Sequence, residues 1–520
     1  MKIERSKNAV RNIGATAAAR AVELLCPFLV RTVFIRTLGA EYLGLNSLFS
    51  SVLSVLSMTE LGFDYAIVFC MYKAIGDDDT PTLNALLNYF KKVYRCVGAI
   101  ILGIGLLLIP FLPYFVKDAT YPAEISPLVV YLVFLFNSVI SYFLWAYRGS
   151  IITAFQRDDV SQRVSIVFKL IMCVLQIVLL FTVRQYYAYL LIMPVFTVLS
   201  NIRVAVISKK MFPQYRPEGV LSKEVRATIR EKVSGLVVFR FCDVSRNSFD
   251  SICISMFSGL AAIGIYNNYY YVMFSVASLL RMLTGAISAG VGNSVATETV
   301  EKNYEDFRKL NFAYMRIAGW FMICMACLYQ TFMKIWVGEG LMFPEKAVFA
   351  FCLYFYSLKM CEILMSYHAA NGLWWQSRYW TIVEAVCNIA LNFVLGKFFG
   401  FYGVLFATVI TIVGINFIAN SKIVYQSYFT GMEVSSYYKS HATYLAVTVF
   451  VGAICYGLSR LLGVIANDWL RLICIGVLCT VLPNLLYKGI YGRTKLYRES
   501  ADWLGNRLPS FLRPFFRILF

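Results

Sequence analysis

The sequence predicts an all-α polytopic membrane protein in two lobes, with about fourteen transmembrane helices and both termini cytoplasmic. Three observations lead there. Of 520 residues, 59% are hydrophobic and 15% charged, and the mean hydropathy is +0.66. A soluble domain carries roughly 25% charged residues. Most of the 48 Lys and Arg residues fall in alternate loops, the bias that marks cytoplasmic loops. Finally, Arg20, Glu23, Gly39 and Gly44 recur without a gap as Arg240, Asp243, Gly259 and Gly264. Repeats of this kind are typical of two-lobed transporters with a polar chamber between the lobes.

A helix needs about 20 mostly apolar residues to cross the hydrocarbon core. Such spans fall at 12–36, 42–70, 93–116, 127–150, 161–183 and 186–208. After a mixed-charge stretch they resume at 234–258, 261–290, 310–332, 346–369, 378–397 and 401–425, followed by 437–461 and 468–489. They are too long and too continuously apolar for barrel strands. The resulting division is an N-lobe at 1–208, a cytoplasmic linker at 209–233 and a C-lobe at 234–426. A helix pair at 427–490 and a basic amphipathic tail at 491–520 complete it.

Local features fit this order. Lys2, Arg5, Lys7 and Arg11 resemble the basic start of a signal peptide. The segment behind them carries Arg20, Glu23 and Arg31 with no convincing cleavage site, and reads as a retained first helix. Gly39–Gly44, Gly259–Gly264 and Gly400–Gly403 read as tight external turns. In the tail, Arg498, Arg507, Arg513 and Arg517 mix with Trp503, Leu504, Phe511, Phe515 and Phe516. That mixture suits a segment on the inner leaflet, or equally a solvated tail.

Several function classes recede. The net charge of +19 follows topology and does not point to nucleic acid. The 14 cysteines lie mostly in apolar spans, Cys324 and Cys327 included, where small hydrophobes are expected. With only His368 and His441 as histidines, no metal centre is expected. Gly76-Asp77-Asp78-Asp79 resembles the aspartate motif of glycosyltransferases, but a short loop without a catalytic domain reads as a solvated turn. No enzyme and no cofactor are expected.

Charges inside a bilayer are costly and mark functional sites. At about 100° per residue, Arg20 and Arg31 share one face of the first helix, roughly 16 Å apart, with Glu23 to one side. Pro27 lies between them. In the seventh span Arg240, Asp243, Arg246 and Asp250 share an arc of about 120°, with Asn247 alongside. Two readings stand. The charges pair with one another at i,i+3 and i,i+4 spacing. Alternatively the arginines line a water-filled chamber and receive an anion, for which the planar guanidinium fork suits phosphate. Glu60 and Asp64 share a face of span two. Lys359, Glu362 and Glu384 form either a local ion-pair group or part of a cation relay, while Arg281 and Arg316 read as snorkelling to the inner leaflet. The aromatic run Tyr266–Tyr271 packs against its neighbours or lines a sugar path.

The stretches Leu38-Gly-Ala-Glu-Tyr-Leu-Gly-Leu45, Glu60-Leu-Gly62, Phe249-Asp250, Phe257-Ser-Gly-Leu-Ala-Ala-Ile-Gly-Ile-Tyr-Asn-Asn-Tyr269 and Gly292-Asn293 carry a resemblance. The chain resembles Wzx-type polysaccharide flippases of the multidrug/oligosaccharidyl-lipid/polysaccharide exporter superfamily. The resemblance implies a MATE-like fold of two six-helix lobes opening alternately. It also implies a lipid-linked oligosaccharide as cargo, carried on undecaprenyl pyrophosphate across a bacterial cytoplasmic membrane. Arg20, Arg31, Arg240 and Arg246 occupy segments comparable to the cationic helices of the superfamily's lipid II flippases, whose two extra helices spans 13 and 14 would match. The acids Glu23, Asp243 and Asp250 depart from that purely cationic pattern. Membrane lipids are expected partners, as are glycosyltransferases or a polymerase of the same pathway.

Three sources of drive fit these residues. Outward movement of an anion gains about 2.3 kcal/mol per charge per 100 mV; a counter-moving Na⁺ or H⁺ is the other choice, at Glu23, Asp243 or Glu362. A lipid II flippase is the nearest alternative cargo reading, and a multidrug cation exporter shares the expected fold. A non-transporting scaffold in an envelope-assembly complex is the reading from a different class.

Overall fold

The computed structural model describes residues 5–56, 63–115 and 124–507. Among them every regular element is helical. In chain order these are α1 (Arg5–Thr37), α2 (Ala40–Leu56), α3 (Phe63–Gly76), α4 (Thr80–Leu107), α5 (Leu112–Phe115), α6 (Pro127–Phe143) and α7 (Gly149–Ala154). There follow α8 (Asp158–Thr182), α9 (Tyr186–Met211), α10 (Lys223–Thr297), α11 (Val300–Val337), α12 (Glu345–Met360) and α13 (Glu362–Ala370). The last are α14 (Trp374–Thr411), α15 (Ile418–Ser427), α16 (Val434–Leu461), α17 (Asp468–Tyr491) and α18 (Lys495–Arg507). Nine helical stretches among the described residues are long and apolar enough to cross a membrane, and a tenth is added if bent α6–α7 counts as one. The protein is a multi-pass membrane protein.

Two of those stretches exceed any single crossing. Ser248–Thr297 has 50 residues and Trp374–Ser427 has 54, about 75–80 Å at 1.5 Å per residue against a core of roughly 30 Å. Each is broken at a glycine in the left-handed region, Gly259 at φ 83° and Gly400 at φ 57°. Gly39, between α1 and α2, has φ 102°. The first glycine of each expected turn is thus the residue that stops its helix, because a side chain resists that backbone angle. The second glycine has a different task. A Cβ at Gly44 would lie 2.3 Å from the carbonyl oxygen of Leu260, and one at Gly403 would lie 2.0 Å from that of Leu395. Both permit backbone to approach backbone.

The chain forms two compact units, Met1–Gly264 and Ile265–Phe520. In the first, α1 packs along α8, α8 against α9, α9 against α6 and α6 against α4. The segment after α9 is tied down: Phe212 stacks on Phe155 at 4.5 Å, and Asn84 and Asn88 of α4 bond the backbone of Arg216 and Gly219 at 2.8 Å each. In the second unit α11 is the hub, packed by α12, α13, α16, α17 and α18. Its core includes Phe312, Ile323, Cys327, Val451, Cys455, Cys479 and Tyr487. The helices around it expose apolar stripes, such as Trp469, Ile473, Val477, Val481 and Leu485 on α17. Such stripes at i,i+4 suit lipid.

Candidate functional site

The first-helix charges are held by a neighbour. Arg20 Nη1 donates to Glu23 Oε2 at 2.8 Å, and Lys169 Nζ of α8 donates to Glu23 Oε1 at 2.6 Å. One turn further, Cys173 Sγ reaches the carbonyl oxygen of Cys26 at 3.8 Å. The two helices therefore run in the same direction, with Glu23 against Lys169 and Cys26 against Cys173. Arg31, half-buried further along α1, interacts electrostatically with Tyr189 of α9. Among the described residues, Arg20 and Lys169 thus share one carboxylate, that of Glu23. The helix continues through Pro27. Lys169 was missed by sequence reasoning, although a lysine within the apolar run Ile166–Met172 is the signal that singled out the arginines.

In the seventh span Arg246 is half-buried and Asp250 is 1% exposed. The side chains of Arg240, Asp243 and Asn247 lie outside the described residues, as do those of Glu60 and Asp64 and the tail aromatics from Trp503 onward.

A second group sits in the Ile265–Phe520 unit, where α12 ends and α13 begins around Cys361. Lys359 Nζ donates to Glu362 Oε2 at 2.9 Å and Oε1 at 3.1 Å, and to the carbonyl oxygen of Ala277 at 3.1 Å. The Tyr314 hydroxyl donates to Glu362 Oε2. Lysine at one helix's C-terminus and glutamate at the next one's N-terminus each complement the local dipole. Glu384 is buried elsewhere and accepts from Asn416 Nδ2 at 2.7 Å.

Glu384 belongs to a polar ladder of which the sequence reading named no other member. Asn388 Nδ2 donates to the Thr408 and Thr411 hydroxyls at 3.1 and 3.3 Å, Asn392 donates to Asn388 Oδ1 at 3.2 Å, and Asn420 donates to Asn416 Oδ1 at 3.2 Å. The ladder brackets a widened π-turn at Ile412–Phe417, a distortion common at functional positions. Its signal was present: Glu384, Asn388 and Asn392 repeat every four residues on one helix face.

Other expectations resolve locally. Arg316 does not snorkel. It is buried, with its guanidinium 5.6 Å from the Tyr487 ring and 5.7 Å from the Tyr497 ring, and bonded to Asn484 at 3.3 Å. Snorkelling is reasoned from one helix, whereas α17 and α18 enclose this side chain. Arg281 is exposed, over the Phe274 ring at 4.7 Å. Tyr266 and Tyr269 are core residues: Tyr269 stacks on Tyr329 at 5.3 Å and donates to Gln330 at 2.7 Å. In the aspartate run, Asp78 has φ 51° and Asp79 caps α4 by accepting from the Thr82 amide at 2.9 Å. Its hydrogen bonds with Thr82 hold that carboxyl below the usual carboxylate range. Cys324 and Cys327 are free thiols packed towards Cys479 on α17.

Solved structures share this fold. A lipid II flippase MurJ in an inward closed conformation matches with a TM-score of 0.63 at 13% identity, over 93% of this chain and 99% of that one. An inward-facing multidrug resistance MATE family transporter of the MOP superfamily matches with a TM-score of 0.58 at 12% identity, over 79% and 94%. A MOP superfamily transporter from Pyrococcus furiosus, described as having a binding pocket of reverse polarity, matches at 0.52 with 13% identity, over 80% and 94%. The fold is therefore the MurJ/MATE-like one. Curated proteins give no sequence match. The chain itself belongs to the polysaccharide biosynthesis protein family, whose profile matches residues 9–288, more than half its length.

Proposed function

We propose that the protein moves a lipid-linked oligosaccharide, borne on undecaprenyl pyrophosphate, from the inner to the outer leaflet of a bacterial cytoplasmic membrane. The cargo would feed capsule, exopolysaccharide or another surface polysaccharide. The observation that carries this reading is the cations gathered around α1, Arg20, Lys169 and Arg31, of which Arg20 and Lys169 both bond Glu23. Glu23 is shared between two of them, so a pyrophosphate can take its place beside Arg20 without leaving the carboxylate unpaired. Arg246, and with it Arg240 and Asn247, would complete the site from the seventh span. The prenyl chain stays in the bilayer while lobes 1–208 and 234–426 open alternately, the linker 209–233 joining them. Uncompensated crossing of the anion draws on the membrane potential; coupling to Na⁺ or H⁺ at Glu23, Asp243, Asp250 or Glu362 is the competing scheme.

The test is joint charge-neutral substitution of Arg20, Arg240 and Arg246, read as lipid-linked sugar reaching the outer leaflet of reconstituted vesicles. Loss of flipping with intact insertion supports the site, and unchanged flipping overturns it. Lipid II is the second cargo reading. The MurJ match covers 93% of this chain, too much to omit both α16 and α17. Rescue of a strain depleted of its own lipid II flippase would favour that cargo.

A further inference from the structure

The second unit contains a pocket that belongs to neither charged group. It is a cleft open to solvent between α11, α15 and α16, with about 280 Å³ of space when that opening is counted. Arg308 and Asn311 contribute from α11, Tyr425 from α15, and Ser436, Ser440 and Tyr444 from α16. No carboxylate lines it. Arg308 is exposed at the rim and interacts electrostatically with Tyr425 and Tyr444. The Ser440 hydroxyl donates to the carbonyl oxygen of Ser436 at 2.8 Å and is also hydrogen-bonded to the Tyr444 side chain.

The floor is the informative part. Asn311 is 3% exposed, and its Nδ2 lies 3.1 Å from His441 Nε2. Its Oδ1 is buried and has no hydrogen-bond partner. A buried amide oxygen without a donor costs about 1–3 kcal/mol, so the pocket is complete only with a group that brings one. The rim supplies a cation for an anion, and the floor supplies an acceptor for a hydroxyl or ammonium proton. A ligand with both halves is a phosphodiester bearing a polar alcohol. The three helix ends that form the pocket also carry Lys302, Lys309, Lys422 and Lys439, which the positive-inside rule assigns to the cytoplasmic face. The pocket therefore stands at the depth of the inner-leaflet headgroups.

We propose that this pocket binds the headgroup of an anionic, hydroxyl-bearing phospholipid of the inner leaflet, with its phosphate on Arg308 and a headgroup hydroxyl on Asn311. It is a site for a membrane lipid and does not depend on the identity of the cargo. Phosphatidylglycerol is the probe. The full-length protein is purified in detergent and scored for phosphatidylglycerol retained over phosphatidylcholine by native mass spectrometry, with a thermal-shift titration alongside. Wild type retains phosphatidylglycerol preferentially. Arg308→Gln weakens retention about ten-fold, the loss of one charge-assisted contact, while Lys302→Gln on the same helix end leaves it unchanged. Equal retention by Arg308→Gln and wild type overturns the site. So does an equal loss with Lys302→Gln, which marks diffuse attraction to surface charge, and so does full thermal protection by inorganic phosphate, which marks a free-phosphate site. Because Arg308 is exposed, its substitution leaves folding intact; Ser440→Ala is the second variant, expected to weaken retention less than Arg308→Gln.

Discussion

Arg20–Glu23 on α1 and Lys359–Glu362 at the α12–α13 junction are the same device in sequence, a cation followed three residues later by a glutamate. Their bonds are also alike, at 2.8 and 2.9 Å. Their surroundings are opposite. Arg20 and Glu23 are 67% and 34% exposed, and Lys169 of α8 competes for the same carboxylate. Lys359 and Glu362 are 2% and 19% exposed, with Tyr314 on the acid and the Ala277 carbonyl on the base. Spacing along a helix specifies that two charges can meet. Whether they stay available to a ligand is decided by helices far away in sequence: of these two pairs, the one on α1 is the exposed one, with a second cation on its acid.

The contrast can be attacked at both ends. The largest expected effect is at the closed pair: Glu362→Gln should cost about 3–5 kcal/mol, because it strands the Lys359 ammonium in a buried site. Thermal unfolding in detergent measures it. Lys359→Met combined with Glu362→Leu should recover most of the loss, and a double variant no better than the single would show that the pair is not a unit. Next comes Asn388→Leu, expected to cost about 1–3 kcal/mol by removing a donor and an acceptor from the buried ladder. Lys169→Gln should change stability by no more than about 1 kcal/mol, since the pair is part-exposed. Flipping in vesicles should nevertheless fall, because Glu23 would then neutralise Arg20 alone. Smallest is Arg20→Gln, within about 0.5 kcal/mol in unfolding; a loss as large as that of Glu362→Gln would erase the distinction between the two pairs.

These differences also explain what was legible beforehand. The helices and the turns at Gly39, Gly259 and Gly400 follow from local rules, apolar length and glycine's tolerance of positive φ. Arg20 and Glu23 were legible as a pair because three residues make nearly one helical turn. Lys169 as the third member was not, because register between α1 and α8 is a packing outcome. Arg316 failed for the same reason: its cage is built by Tyr487 and Tyr497, more than a hundred residues later. The asparagine ladder was readable in principle from Glu384, Asn388 and Asn392. Amides carry no charge to mark them in an apolar run, although a buried amide is as demanding of partners.

The Glu23–Lys169 contact bears on how the chain enters the membrane. Each central charge disfavours insertion of a helix by about 2.5–3.5 kcal/mol, and α1 carries three, Arg20, Glu23 and Arg31. At roughly 5–20 residues per second, Lys169 emerges about 7–30 s after Glu23. Throughout that interval the first segment has only its own arginine to offset the acid. Biogenesis of this protein is therefore a problem of waiting: α1 is completed by a partner synthesised well over a hundred residues later.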